Sequence, residues 1–326
     1  MYRKIMGFLE AWKENKHRKP LILQGARQVG KTYSILEFGR THYENVAYFN
    51  FETNPKLNET FEENISPDYL IPILSHIAGH TIVKEKTLIV FDEVQLCERA
   101  LTSLKYFCED APDYHIIVAG SLLGVAVNRA KFSFPVGKVD MKTLYPMDME
   151  EFMLALGEND LVEQIKKCFH TDNPLPSALH AAAMQLYRQY LVVGGMPECV
   201  LQFAETKDYI LVRHTQDTIL ASYLNDMSKY NNLNEIKKTR LAYDNITVQL
   251  SKKNTRFQYK LIKKGGRASE FENAIEWLCL SGIVSQVYKV EQIKKPLENY
   301  RDIDAFKIYV SDLGLLCAKK DLAAND

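Results

Sequence analysis

Residues 21–39, LILQGARQVGKTYSILEFG, pass from a short apolar run into a glycine-bounded loop ending in Lys-Thr, then into an amphipathic stretch. Gly25 to Thr32 match G-x-x-x-x-G-K-[ST] in full, between a predicted strand and a predicted helix, which is the context that loop requires. The glycines let the backbone curl round an anion with its N–H groups inward, and the following helix offers its positive end. Lys31 can then neutralise the β and γ oxygens of a nucleotide, and Thr32 can offer a hydroxyl to Mg2+. The expected ATP contacts are Gly25, Ala26, Arg27, Gln28, Val29, Gly30, Lys31, Thr32 and Tyr33. The plain alternative is a strand turning into a helix with no ligand, and the match together with its context weighs against it.

A phosphate loop alone does not make an ATPase; a second strand must end in carboxylates. Residues 87–93, TLIVFDE, meet that need: a buried apolar strand whose C-terminal end falls beside the loop, where open α/β sheets bind ligands. Asp92 is then expected to share the metal with Thr32, and Glu93 to polarise the attacking water. Residues 115–121, HIIVAGS, supply a further strand, with Ser121 at its end in a place suited to touch the γ-phosphate or the water. A serine after glycine equally suits a strand-ending turn.

Between Pro20 and Met147 further β-rich runs, NVAYFNFE (residues 45–52) and KVDMKTLYPM (residues 138–147), alternate with helical patterns. Such alternation predicts a parallel sheet covered by helices on both faces, an α/β nucleotide-binding architecture on grounds independent of the loop. The gap 53–86 has room for a crossover helix and a loop. After Pro146 the pattern becomes helical, broken at TDNPLPS and at Gly194-Gly195. Beyond Ile236 it reads helix, short helix, helix (Ala268–Leu280), then two β-like stretches, as a winged helix would. The domains expected are 1–147 (P-loop ATPase), 148–235 (helical) and 236–326 (winged-helix-like).

The whole chain has 326 residues, of which 46% are hydrophobic and 25% charged, the balance of a multi-domain globular protein. Its 41 basic and 41 acidic residues cancel, so any binding to nucleic acid must be local. The one candidate region is 229–267, where eight lysines and three arginines stand against Glu235 and Asp244 alone. Such a face can contact DNA backbone without sequence preference. The segment 268–280 that would enter a groove carries Glu270, Glu272 and Glu276 instead, and a solvated basic face is the competing reading. Tyr223, Tyr230, Tyr243, Phe257, Tyr259 and Phe271 read as core rather than as a stacking platform. The six cysteines form no C-x-x-C pair, the N-terminus lacks a signal-peptide core, and no run reaches membrane-spanning length. A cytoplasmic protein with no membrane partner is expected.

The chain resembles the prokaryotic AAA+-type ATP-binding proteins that carry a C-terminal domain of unknown function. The resemblance rests on GARQVGKT, FNFE, VFDEVQ (residues 90–95), VAGS, LYPMDMEEF (residues 144–152), VGGMPE (residues 193–198) and KIYVSDLGLL (residues 307–316). It implies an AAA+-like core that binds ATP and hydrolyses it, with Mg2+ as the expected metal, and a winged-helix region in the C-terminal part. Two departures stand out. The family has Gly-Arg before the last sheet strand, a site for the arginine that steadies the γ-phosphate; here it is Gly137-Lys138, and lysine cannot make the same bidentate contact. Arg129 could serve instead, another subunit of a homo-oligomer could supply the arginine in trans, or hydrolysis is slow. The family also often continues into a nuclease-like terminal domain, whereas this sequence stops at Asp326, so either a fragment or a naturally shortened member is expected. Two functions follow: an ATPase that drives or times a conformational change in its C-terminal domains, and an ATP-sensing, DNA-associated regulator in which hydrolysis is incidental.

Overall fold

The computed structural model describes residues 1–120, 134–229, 233–253 and 256–322. Two compact units result, Arg3–Tyr145 and Pro146–Asp326, the latter grouped with Met1–Tyr2.

The first unit opens with α1 (Ile5–Glu14), whose Ile5, Leu9 and Trp12 recur at helical spacing and are buried. Strand β1 (Leu21–Gln24) leads into α2 (Lys31–His42), then β2 (Asn45–Asn50), α3 (Leu57–Glu63), α4 (Pro67–Ala78), β3 (Thr87–Asp92), α5 (Glu98–Asp110), β4 (His115–Gly120) and β5 (Asp140–Thr143). All five strands pair in parallel in the order β2-β3-β4-β1-β5. Every residue of β3 and β4 is buried, as a central strand covered on both faces demands. Where the gap 53–86 was expected to hold one crossover helix, two form. Ser66-Pro67 separates them, since proline suits a helix's first turn and disfavours helix in the residue before it.

Alternation along β2 sorts its side chains. Phe49 joins Phe51, Phe61 and Phe91 in one aromatic core. Val46, Tyr48 and Asn50 take the other face, and there α2 packs so closely that a Cβ on Gly39 would stand 2.5 Å from Val46 Cγ2.

The second unit contains α6 (Met149–Ala155), α7 (Asn159–His170), α8 (Ser177–Val193), α9 (Pro197–Thr206), α10 (Tyr209–Lys229), α11 (Leu233–Leu250), α12 (Ala268–Leu280), the antiparallel ribbon β6 (Val284–Val290) with β7 (Arg301–Val310), and α13 (Leu313–Lys319). The breaks fall at TDNPLPS and at the double glycine, as expected. Strand β7 starts five residues before the apolar run FKIYV, because polar Arg301, Asp302 and Asp304 sit on an exposed part of the ribbon and carry no apolar signal. Tyr223, Tyr243, Phe257 and Phe271 are buried, and Tyr259 is half-buried against Phe257 and Phe306; Tyr230 lies outside the described residues.

One carboxylate ties this unit together. Asp312 caps α13 by accepting from Leu315 N at 2.8 Å and also accepts from Gly195 N at 2.6 Å. A Cβ on Gly195 would stand 2.0 Å from Met147 O, so only glycine lets the break between α8 and α9 approach that closely. Among the described residues no helix is long and apolar enough to cross a membrane.

Candidate functional site

The loop after β1 is held by its own conformation and by one arginine. Gly25 (φ 149°) and Gly30 (φ 89°) adopt backbone angles that L side chains rarely take, and a Cβ at Gly25 would meet Leu144 O at 2.2 Å. Arg3, only 4% exposed, donates from Nη1 to Val29 O and from Nη2 to Tyr145 O, both at 2.8 Å. It thereby ties the loop to the segment that follows β5. Nothing in the sequence around Arg3 marks this role; a basic residue before an amphipathic helix looks like any surface charge.

Lys31, the first residue of α2, points its ammonium back over the loop and donates to Gly25 O at 2.9 Å and Ala26 O at 2.8 Å. Burial lowers its pKa to about 8, against the pull of Glu93 and Asp92, which favour the charge. The next residue, Thr32, donates from Oγ1 to Asp92 Oδ2 at 2.8 Å, so the two expected metal ligands meet at the C-terminal edge of the sheet. Val29 and Ala26 are buried, Arg27 is partly so, and Gln28 is exposed with a left-handed φ of 65°. Tyr33 is also exposed.

Glu93 follows Asp92 with φ 51°, a strained angle for a non-glycine residue, and starts a short 3-10 turn. The turn brings Gln95 back so that its Nε2 donates to Glu93 Oε2. Burial is the main cause that raises the Glu93 pKa; the Gln95 bond acts in the opposite sense. A carboxylate destabilised by burial is a better proton acceptor, as a base that polarises water needs to be.

The residues present suit a magnesium nucleotide. Thr32 and Asp92 offer hard oxygen donors, the loop offers backbone amides, and Lys31 offers a cation. Among the described residues no group of three or more His, Cys, Asp or Glu could hold a metal by itself. Mg2+ held by one carboxylate, one hydroxyl and phosphate oxygens needs no such group.

Two expected residues, Ser121 and Arg129, lie outside the described residues. A third, Lys138, is not brought to the site. Strand β5 runs parallel to β1 with Asp140 beside Leu21, so Lys138 falls at the sheet edge opposite the loop, a strand length of about 13 Å away. There it pairs with Glu109 at 2.8 Å. Within one chain it cannot stand in for the family's arginine. Tyr48 and Asn50, on which the sequence is silent, do reach the site: Tyr48 Oη donates to Asp92 Oδ2 at 2.7 Å, and Asn50 Nδ2 donates to Tyr48 Oη at 3.2 Å.

A parallel sheet ordered this way, with a glycine loop between β1 and α2 and carboxylates at the end of β3, is a P-loop NTPase fold. Residues 17–153 match the model of an AAA domain family, and residues 184–326 match that of a domain of unknown function (DUF8612). The chain carries an AAA domain followed by that second domain. Among solved structures, the Walker-type ATPase of Pyrococcus abyssi is similar over 98% of this chain and 95% of its own, at 14% identity and a TM-score of 0.59. That likeness shows the fold. Looser likenesses are to the ORC2 protein of Aeropyrum pernix (13% identity, 98% and 94% covered, TM-score 0.46) and to the RuvB Holliday junction branch migration motor of Thermotoga maritima (14%, 86% and 87%, 0.36). No curated protein matches the chain.

Proposed function

We propose that the chain binds Mg-ATP on Gly25–Tyr33 and hydrolyses it, passing a conformational result to its C-terminal part. The observation that carries this reading is the meeting of Thr32 and Asp92 at 2.8 Å, with Lys31 folded over the loop and Glu93 next in the chain. In this reading Lys31 leaves its two carbonyls for phosphate oxygens, Thr32 and Asp92 hold the cation, which neutralises charge on the phosphates, and Glu93 accepts a proton from the attacking water. Ser121 touches the γ-phosphate or that water. With Lys138 at the far edge, the arginine comes from Arg129 or from a neighbouring copy of the chain. The domains are 1–147, 148–235 and a winged-helix-like 236–326, and the six free cysteines suit a reducing cytoplasm.

The test is Mg-dependent ATP hydrolysis across protein concentration by wild type, Lys31→Ala and Glu93→Gln. Turnover per chain is expected to rise with concentration, to vanish in Glu93→Gln while ATP still binds, and to vanish with binding in Lys31→Ala. Wild-type turnover no faster than Glu93→Gln at every concentration refutes hydrolysis.

A second reading, the DNA-associated regulator, is favoured by one feature. The connection 251–267 between α11 and α12 has five lysines and two arginines and no acid. Lys252, Lys253, Lys260, Lys264 and Arg267 are exposed, and Lys260 lines a groove of about 420 Å³ together with Arg256, Tyr259 and Asp304. Lys263 of the same stretch pairs with Glu270 of α12 at 3.3 Å, so the reading rests on the other exposed bases. A random duplex should be retarded at low salt and released steeply as salt rises; no retardation at low salt removes this reading.

A further inference from the structure

The Asp92 carboxylate is engaged on both oxygens. Oδ2 accepts from Thr32 Oγ1 at 2.8 Å and from Tyr48 Oη at 2.7 Å, and Oδ1 accepts from Glu93 N at 3.0 Å. Each carboxylate oxygen has two lone-pair sites, so among the described residues Oδ2 is filled and Oδ1 accepts one bond.

Tyr48 is not in this place for burial. It is 37% exposed, on the end strand β2, where any residue that tolerates half-exposure would serve the sheet. Its register partner is Val90, two residues before Asp92. Two residues along a strand is about 6.6 Å, roughly the reach of a phenol and beyond that of serine or threonine. Asn50, paired with Asp92 and on the same face as Tyr48, donates to the phenol oxygen and leaves its proton to point at the carboxylate. A chain of donors therefore runs Asn50 to Tyr48 to Asp92, and each member fixes the next.

We propose that Tyr48 is a positioning residue for the cation site: its phenol locks the Asp92 carboxylate in the orientation from which Oδ1 would help hold a nucleotide-bound Mg2+. The inference rests on the Mg-ATP reading above. Without Tyr48, a Thr32 hydroxyl that shifts toward a metal would leave the carboxylate held by the Glu93 N–H on Oδ1 alone; Tyr48 keeps a second fixed point, on Oδ2, and so opposes a turn about the Cβ–Cγ bond. The consequence is specific to metal. Phosphate binding by the loop and Lys31 does not pass through Asp92.

The experiment titrates MgCl2 into the full chain with a fluorescent, non-hydrolysable ATP analogue, after measuring the analogue's affinity in EDTA. Tyr48→Phe keeps the ring and removes the donor. It should leave the EDTA affinity unchanged and raise the Mg2+ midpoint about tenfold, the low end of the usual loss when a ligand's supporting bond is removed. Asn50→Ala should shift the midpoint the same way by less. An unchanged midpoint in Tyr48→Phe overturns the inference while the wild-type Mg2+ response leaves the ATP reading standing. If Tyr48→Phe does not fold, Asn50→Ala decides, and its unchanged midpoint overturns the inference. A wild type that shows no Mg2+ response overturns both.

Discussion

Lys31 links stability to the proposed binding of nucleotide. Its folded pKa of about 8 lies below the ordinary 10.5 because burial disfavours the ammonium. Between those values the unfolded chain binds more protons than the folded one, so stability rises with pH from about 8 to about 10. Below 8 the cost is fully present, on the order of 3 kcal/mol. Urea unfolding at pH 7.5 and 9.5 should show this rise in wild type and not in Lys31→Met. Nucleotide affinity should run the other way, because phosphates favour the charged amine: fluorescence titration should find ATP binding weakening above pH 8. That Lys31, Thr32, Asp92 and Glu93 would come together was legible in the sequence, because the loop and the strand end each have a fixed local spacing. Arg3 and Tyr48 were not, since each acts through a contact between residues far apart in the chain.

At the scale of elements, strands and helices with an unbroken pattern were read correctly. Strand β3 and helix α12 have the predicted bounds to within a residue, because full burial or helical spacing writes itself into composition. The early start of β7 and the second helix in the gap 53–86 escaped, one hidden by polar residues and the other by a short amphipathic segment. Asp312 joins elements that no pattern links. Asp312→Ala should lower the unfolding free energy by about 3 kcal/mol, since it removes a helix cap and leaves the buried Gly195 N–H unpaired. Asp312→Asn should fall between that variant and wild type, as its carbonyl can still cap α13 while its amide cannot accept from Gly195. Urea midpoints of the three proteins check the order.

At the scale of the molecule, the two compact units should respond differently to ligand. Calorimetry is expected to resolve two transitions, of which Mg-ATP moves most the one containing Arg3–Tyr145. At one hundred times Kd the gain is about 2.7 kcal/mol. Lys31→Ala should melt without a shift. If Mg-ATP moves neither transition in the wild type, the loop does not bind nucleotide under those conditions.

The sequence by itself determined that a parallel α/β unit carries a glycine-bounded loop after its first strand and a carboxylate pair, because strand burial, helix period and the glycine loop are all local in the chain. It also placed the helical breaks at TDNPLPS and the double glycine. Only the tertiary structure decided which distant side chains serve that loop. It put Tyr48 and Arg3 at the site, and Lys138 at the opposite edge of the sheet, because the direction of β5 beside β1 determines which end of a strand faces the loop. Strand pairing is a long-range choice, and a residue's distance from the site follows from it rather than from spacing along the chain.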